Sequence, residues 1–360
     1  MLSITILNKK LYFKWLFIFF IIILFILFYK KKRQIKVGIF GCRHDSNVGN
    51  FLIKYAMHIK LTELGYKPFI VTTNHRKVNT TFLNLTTNMV IVKNYSDIKE
   101  NDYDILIVNS DQTWRKWDIY FYDCGFLKFA ENWNKLKFVY GASLGFNFWD
   151  FNKQEELIIE PLIKKFSEIS VREQGSIKLI EQHFGISPKL VLDPTLIIDK
   201  KYYLELIKGY KNKITSDRNY IFTYIVWKLE NDMKEMISEA KKTFNYTVYN
   251  YVIGNNSLIE DFLYHIVNSK AVITNSFHCT IFSVLFEKPF VTFNYNYTGM
   301  ERIKSISELL GFENRIIYEN HKPDINLLNI TPIINYQVFN KKRKESNDYI
   351  LRNLKLFKYY

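Results

Sequence analysis

Residues 271–293 read AVITNSFHCTIFSVLFEKPFVTF, and this pattern decides the class of fold. AVIT (271–274) is short and wholly apolar, as expected of a strand covered on both faces. A polar stretch, 274–280, follows it. Residues 281–286 read as a helix, and 289–293 as the next strand. Two strands joined through a helix must run parallel, because a hairpin turn cannot connect them.

The same rhythm extends upstream. IFTYIVW (221–227) reads as a strand, and 228–244 as a helix with Leu229, Met233, Met236, Ile237, Ala240 and Phe244 at helical spacing. TVYNYVI (247–253) is the next strand, and Ser257 is the expected cap of a helix bearing Phe262, Leu263 and Ile266. In the first half, KVGIFG (36–41) is a strand and 50–64 a helix stopped by Gly65. Further strands are expected at 69–72, 89–93, 104–109, 137–142, 168–171 and 190–192, with a crossover helix over 154–166 containing Pro161. The expected fold class is therefore α/β, with two Rossmann-like parallel-sheet domains, 34–205 and 206–340. Polarity rises over 199–219, which marks the boundary. Ile350, Leu354 and Phe357 are spaced for a C-terminal helix within 341–360 that crosses back to brace the first half.

Residues 11–29 form an almost unbroken apolar run of 19 residues, long enough as a helix to span roughly 28 Å of hydrocarbon. Lys30, Lys31, Lys32 and Arg33 follow it, and no small-x-small cleavage site does. The expectation is an uncleaved single-pass membrane anchor over residues 1–33. The dense basic cluster after the span points to a cytosolic catalytic part. About half of the net charge of +15 has the same source: residues 1–36 hold eight basic residues and no acid, leaving +7 elsewhere. Without a compact basic stripe, nucleic acid is not an expected partner. The three cysteines, Cys42, Cys124 and Cys279, lack C-x-x-C spacing, so they read as unpaired and point to neither a zinc site nor a disulfide framework.

In open parallel sheets ligands bind beyond the carboxyl ends of the strands, and polar clusters follow the strands here. After 36–41 come Asn47, Gly49 and Asn50 at a helix entrance, where backbone N–H groups suit an anion or sugar hydroxyls, or where Asn47 or Asn50 simply caps the helix. The loop is not a G-x-G-x-x-G fingerprint, so a nicotinamide cofactor is not indicated. Asp111 follows DILIVN and is a candidate base or a holder of an acceptor hydroxyl. Ser143 stands in a small-residue turn. Arg172 ends ISVR with a fork suited to carboxylate or phosphate, or paired with Glu173 or Asp193. The densest signal is Ser276-Phe277-His278-Cys279-Thr280, where hydroxyls and an imidazole gather at a helix start. Arg302, on the next helix, is a further cation or a surface residue. No metal-ligand cluster and no cofactor are expected.

Together SNVGNFLIKYA, VNSDQTW, VYGASLG, ISVRE, LVLDPTLI and TNSFHCTIFSVLFEKPF resemble, in order and spacing, the polysaccharide pyruvyl transferase family. The resemblance covers about residues 36–315. It implies a GT-B-like fold and an enzyme that transfers the enolpyruvyl carbons of phosphoenolpyruvate to a glycan sugar as a ketal. It implies that Ser276 and His278, with Arg172, lie at the donor site, and that Gly49, Asn50, Asp111 and Ser143 face the cleft from the other half. Joined with the reading of the residues themselves, the expected catalytic pair is His278 and Asp111, and the expected substrate-binding set is Asn47, Gly49, Asn50, Ser143, Arg172, Ser276, Thr280 and Arg302. The chain departs from the family pattern at Ile53, Cys279 and Phe277; the last stands where some members carry a basic residue. Two other readings share the architecture: a membrane-bound glycosyltransferase using a nucleotide sugar, and a non-catalytic carbohydrate-binding membrane protein.

Overall fold

Strand β4 (Ile105–Val108) is apolar and buried at every position, so both of its faces must be covered. It sits at the centre of a seven-stranded, all-parallel sheet. The other members are β1 (Lys36–Phe40), β2 (Lys67–Thr73), β3 (Met89–Val92), β5 (Leu136–Ala142), β6 (Ile169–Val171) and β7 (Lys189–Leu190). Their order is β3-β2-β1-β4-β5-β6-β7. The order reverses between β1 and β4, which creates a switch point where loops from both sides leave a crevice. The helices of this lobe are α1 (Val48–Glu63), α2 (Phe121–Phe126), α3 (Lys153–Ile163), α4 (Gln174–Phe184) and α5 (Lys201–Leu206).

The second sheet is built from β8 (Tyr220–Tyr224), β9 (Thr247–Tyr251), β10 (Ala271–Thr274), β11 (Phe290–Phe293) and β12 (Ile316–Ile317). It is also all parallel, in the order β12-β11-β10-β8-β9. Its helices are α6 (Asn231–Phe244), α7 (Ile259–Asn268), α8 (Phe277–Leu285) and α9 (Met300–Leu310). Both sheets and the final helix, α10 (Tyr336–Lys355), belong to one compact unit, Lys36–Tyr360. Two parallel-sheet α/β lobes of this kind give a GT-B-like architecture.

Helix α10 returns to the first lobe and binds it through polar side chains. Tyr349 donates from its hydroxyl to the Val139 carbonyl (2.8 Å), Ser346 Oγ accepts from Leu192 N–H (2.9 Å), and Arg343 reaches the Leu196 carbonyl (2.7 Å). The Tyr349 ring also meets Phe138 and Tyr140 edge-on.

Three local expectations meet a different structure. Helix α8 begins at Phe277 rather than 281, because Ser276 is its N-cap and accepts from Cys279 N–H (3.4 Å). Helix α7 is preceded by Leu258, which offers no side-chain cap, and Ser257 lies outside the described residues. Cys124 is disulfide-bonded, contrary to the unpaired reading, since a disulfide depends on spatial rather than sequential neighbours.

The computed structural model describes residues 20, 33–41, 47–73, 88–116, 121–210, 219–226, 228–252, 258–295, 300–319, 321 and 323–360. The expected span over 11–29 lies outside them except for Phe20. Among the described residues no helix is long and apolar enough to cross a membrane.

Candidate active site

The site begins with a glycine that has no room for a side chain. A Cβ at Gly49, in the first turn of α1, would lie 2.0 Å from His278 Nδ1 and 2.3 Å from its Cγ. The imidazole of the second lobe thus rests on the bare backbone of the first. Asn47 caps α1, accepting from Gly49 N–H (2.9 Å), so the capping alternative for Asn47 is the observed one. Asn50, one residue further, donates to Asp111 Oδ2 (2.8 Å); its own Oδ1 is buried and makes no hydrogen bond among the described residues.

Asp111 leaves the end of β4 with φ +99°, a conformation that costs a non-glycine residue of order 1–3 kcal/mol. Its backbone holds the strain in place. Its carbonyl accepts from Ser143 N–H (3.0 Å) and Thr113 N–H (2.7 Å), and the Ser143 carbonyl accepts from Trp114 N–H (3.2 Å). Strand β5 bulges just before this point, between Val139 and Ala142. Ser143 Oγ accepts from Gly145 N–H (3.1 Å) and the residue is fully buried, so Ser143 shapes the turn rather than facing the cleft.

Arg172, beyond β6, is buried among three carboxylates. It pairs closely with Asp193, reaches Asp111 Oδ1 at 3.1 Å, and holds Nε 3.9 Å from Glu173 Oε2. The ion-pair alternative for Arg172 is therefore realised: the guanidinium ties the ends of β4, β6 and β7 together. Burial works against its charge, but Asp193, Asp111 and Glu173 outweigh it and raise its pKa. Asp111 shows the converse. Burial favours its neutral form, yet Arg172, His278 and Arg302, with the Asn50 hydrogen bond, hold it well below the usual carboxylate range. Asp111 is a fixed anion and a weak proton acceptor.

From the second lobe, α8 presents Phe277 and His278. The guanidinium of Arg172 lies 4.7 Å from the Phe277 ring centroid and that of Arg302 5.2 Å, two cation–π contacts on one ring. Arg302 is partly buried at the site rather than solvated on the surface. Burial, then the neighbouring Arg172, pushes its pKa down to about 10. His278 is 5% exposed; its Nε2 lies 3.9 Å from Asp193 Oδ2 and makes no hydrogen bond among the described residues. Burial pushes its pKa down to about 4, against the pull of Asp193 and Asp111. Without a bound anion the imidazole is neutral at pH 7.

The structure thus brings Gly49, Asn50, Asp111, Arg172, His278 and Arg302 together. It sets Thr280 apart: its hydroxyl donates to the Ser276 carbonyl (2.9 Å), lies 2.8 Å from the Thr292 hydroxyl, and is fully buried. Ser276 serves as the cap of α8. Sequence reasoning passed over Asp193 as a mere brace and Phe277 as a departure; only the approach of the two lobes reveals their places.

A larger cavity of about 820 Å³ lies elsewhere in the second lobe, lined by Glu230, Asp232, Glu235, Glu239, Glu319, Lys228 and His321 among others. Its excess of carboxylates disfavours a multiply charged anion.

The sequence profile of the polysaccharide pyruvyl transferase family matches residues 47–297. A comparison with curated proteins finds no match. Among solved structures, the UDP-GlcNAc 2-epimerase of Methanocaldococcus jannaschii is similar with a TM-score of 0.61 at 14% identity, covering 89% of this chain and 99% of that one. The Neisseria meningitidis UDP-GlcNAc 2-epimerase bound to UDP-GlcNAc gives 0.57 at 10% identity, with 89% and 99% covered. The S. aureus MnaA–UDP structure gives 0.55 at 12%, with 90% and 96% covered. At these identities the likeness concerns the fold alone.

Proposed function

This chain belongs to the polysaccharide pyruvyl transferase family, and we propose that it transfers a pyruvyl group from phosphoenolpyruvate to a sugar of a glycan as a ketal. The observation that carries this reading is the meeting of His278 with Gly49, which joins the family's two outermost motifs in one place.

In the proposed reaction the methylene carbon of the donor gains a proton. Two sugar hydroxyl oxygens bond to the adjacent carbon, and its bond to the phosphate oxygen breaks. One hydroxyl proton balances that delivered to carbon, and the other leaves on phosphate. His278 binds the donor phosphate and, once the anion has drawn a proton onto the ring, serves as the acid. Asp111 orients the acceptor hydroxyl; its depressed pKa favours this role over deprotonation. Arg302 faces the donor charge, since the charge of Arg172 is already answered by Asp111 and Asp193. With Phe277 in the place of a basic residue, the nearby cations are the two held on its ring. In this reading the apolar run 11–29 serves as a membrane anchor.

The test is incubation of the full chain with phosphoenolpyruvate and a panel of glycans. A glycan mass gain of one pyruvyl ketal with stoichiometric phosphate release is expected. Release of nucleotide from a nucleotide sugar, with no turnover of phosphoenolpyruvate, overturns the proposal.

A further inference from the structure

We infer that Asp193 is the positioning residue for His278, contributed by the opposite lobe, so that a working imidazole exists only while the two lobes are together. The inference rests on the proposed reaction for its purpose, though not for its geometry.

Asp193 is placed with unusual rigidity. It stands 2% exposed beyond β7; its Oδ1 accepts from Thr195 N–H (3.0 Å) and from Thr195 Oγ1 (2.7 Å), and its Oδ2 pairs with Arg172. Pro194 follows it and starts the short 3₁₀ turn Pro194–Leu196. That same Oδ2 lies 3.9 Å from His278 Nε2, a buried ring nitrogen with no hydrogen bond among the described residues. The other nitrogen, Nδ1, lies over Gly49. A buried polar nitrogen left without a partner is costly, and a closure of about 1 Å brings it within hydrogen-bond reach of Asp193. Asp193 then fixes the ring with Nε2 protonated, turns Nδ1 toward the cleft along Gly49, and supports the charged ring when a donor anion arrives.

The charged groups facing His278 are Asp193 and Asp111, which favour its protonation, and Arg172 and Arg302, which oppose it. Asp193 leads the two favourable ones, so its charge cannot be removed without an effect on the ring. A brace for Arg172 alone, by contrast, leaves the tautomer of His278 untouched.

The test is nitrogen-15 NMR of the imidazole rings in the full chain without substrate, for wild type, Asp193→Asn and Asp193→Glu. Wild type is expected to carry its proton on Nε2. In Asp193→Asn the tautomers mix and the ionisation midpoint falls by about one pH unit; Asp193→Glu recovers most of both. A wild-type ring protonated on Nδ1 overturns the inference, even if neither variant folds. So does a folded Asp193→Asn with an unchanged ring. Because neither readout involves turnover, failure of the phosphoenolpyruvate reading is seen separately, as absent ketal formation by a wild-type protein whose ring behaves as stated.

Discussion

At the scale of single residues, Gly49 and Asp111 carry the most. Gly49→Ala puts a methyl group inside the His278 ring, so either the ring turns or the lobes part. A displacement of about 1 Å at a reacting group costs on the order of 100-fold; kcat/KM for phosphoenolpyruvate is expected to fall by about that factor, and the overpacking to lower stability by about 1–3 kcal/mol. Histidine titration gives a pH prediction. His58 and His278 are both pushed down to about 4 by burial, whereas an unfolded histidine binds its proton near pH 6.5. Between those values the unfolded chain holds more protons on these residues than the folded one, so their contribution makes stability fall as pH drops through that window and is level above it. Both ring nitrogens of His58 are buried without a hydrogen bond among the described residues. His58→Leu is therefore expected to keep stability at pH 7 and to reduce the loss between pH 6.5 and 4 by roughly half. Urea unfolding at pH 7 and pH 5 checks this, and an unchanged loss contradicts it.

At the scale of elements, the strands were the legible part. AVIT is the observed β10, residue for residue, because a strand covered on both faces has to be apolar throughout. The start of α8 was not legible. Every residue of that helix is buried, so it lacks the polar face that marks an amphipathic helix, and His278 and Thr280 in its first turns read as loop. The alternatives for Arg172 could be named from its neighbours Glu173 and Asp193, but choosing between them required β6 and β7 to be side by side. Ser276→Ala removes the cap of α8 and is expected to cost about 1 kcal/mol, near the lower end because the bond it loses is long. Thr280→Val breaks a buried hydroxyl pair with Thr292 and costs about 1–3 kcal/mol without altering donor affinity. Chemical denaturation measures both. A loss of donor affinity in Thr280→Val with stability intact restores Thr280 to the binding set.

At the scale of the whole molecule, residues that follow strands of both sheets meet: Gly49 comes after β1 and His278 after β10. The fold class was readable from periodicity, since parallel sheets impose it. The closeness of Gly49 to His278 was not, because it is a contact between lobes that no local pattern encodes. Helix α10 helps to hold the first lobe's shape: Tyr349 is 2% exposed and bonds to the Val139 carbonyl next to the β5 bulge. Tyr349→Ala is expected to lose about 3–5 kcal/mol, seen as a lowered thermal midpoint. The central claim, that the lobes jointly form one donor site around His278, is tested most directly by phosphate release from phosphoenolpyruvate in the presence of acceptor glycans. Wild type is expected to turn over, with His278→Ala and Gly49→Ala each reduced about 100-fold or more. Turnover at the wild-type rate in either folded variant contradicts the account.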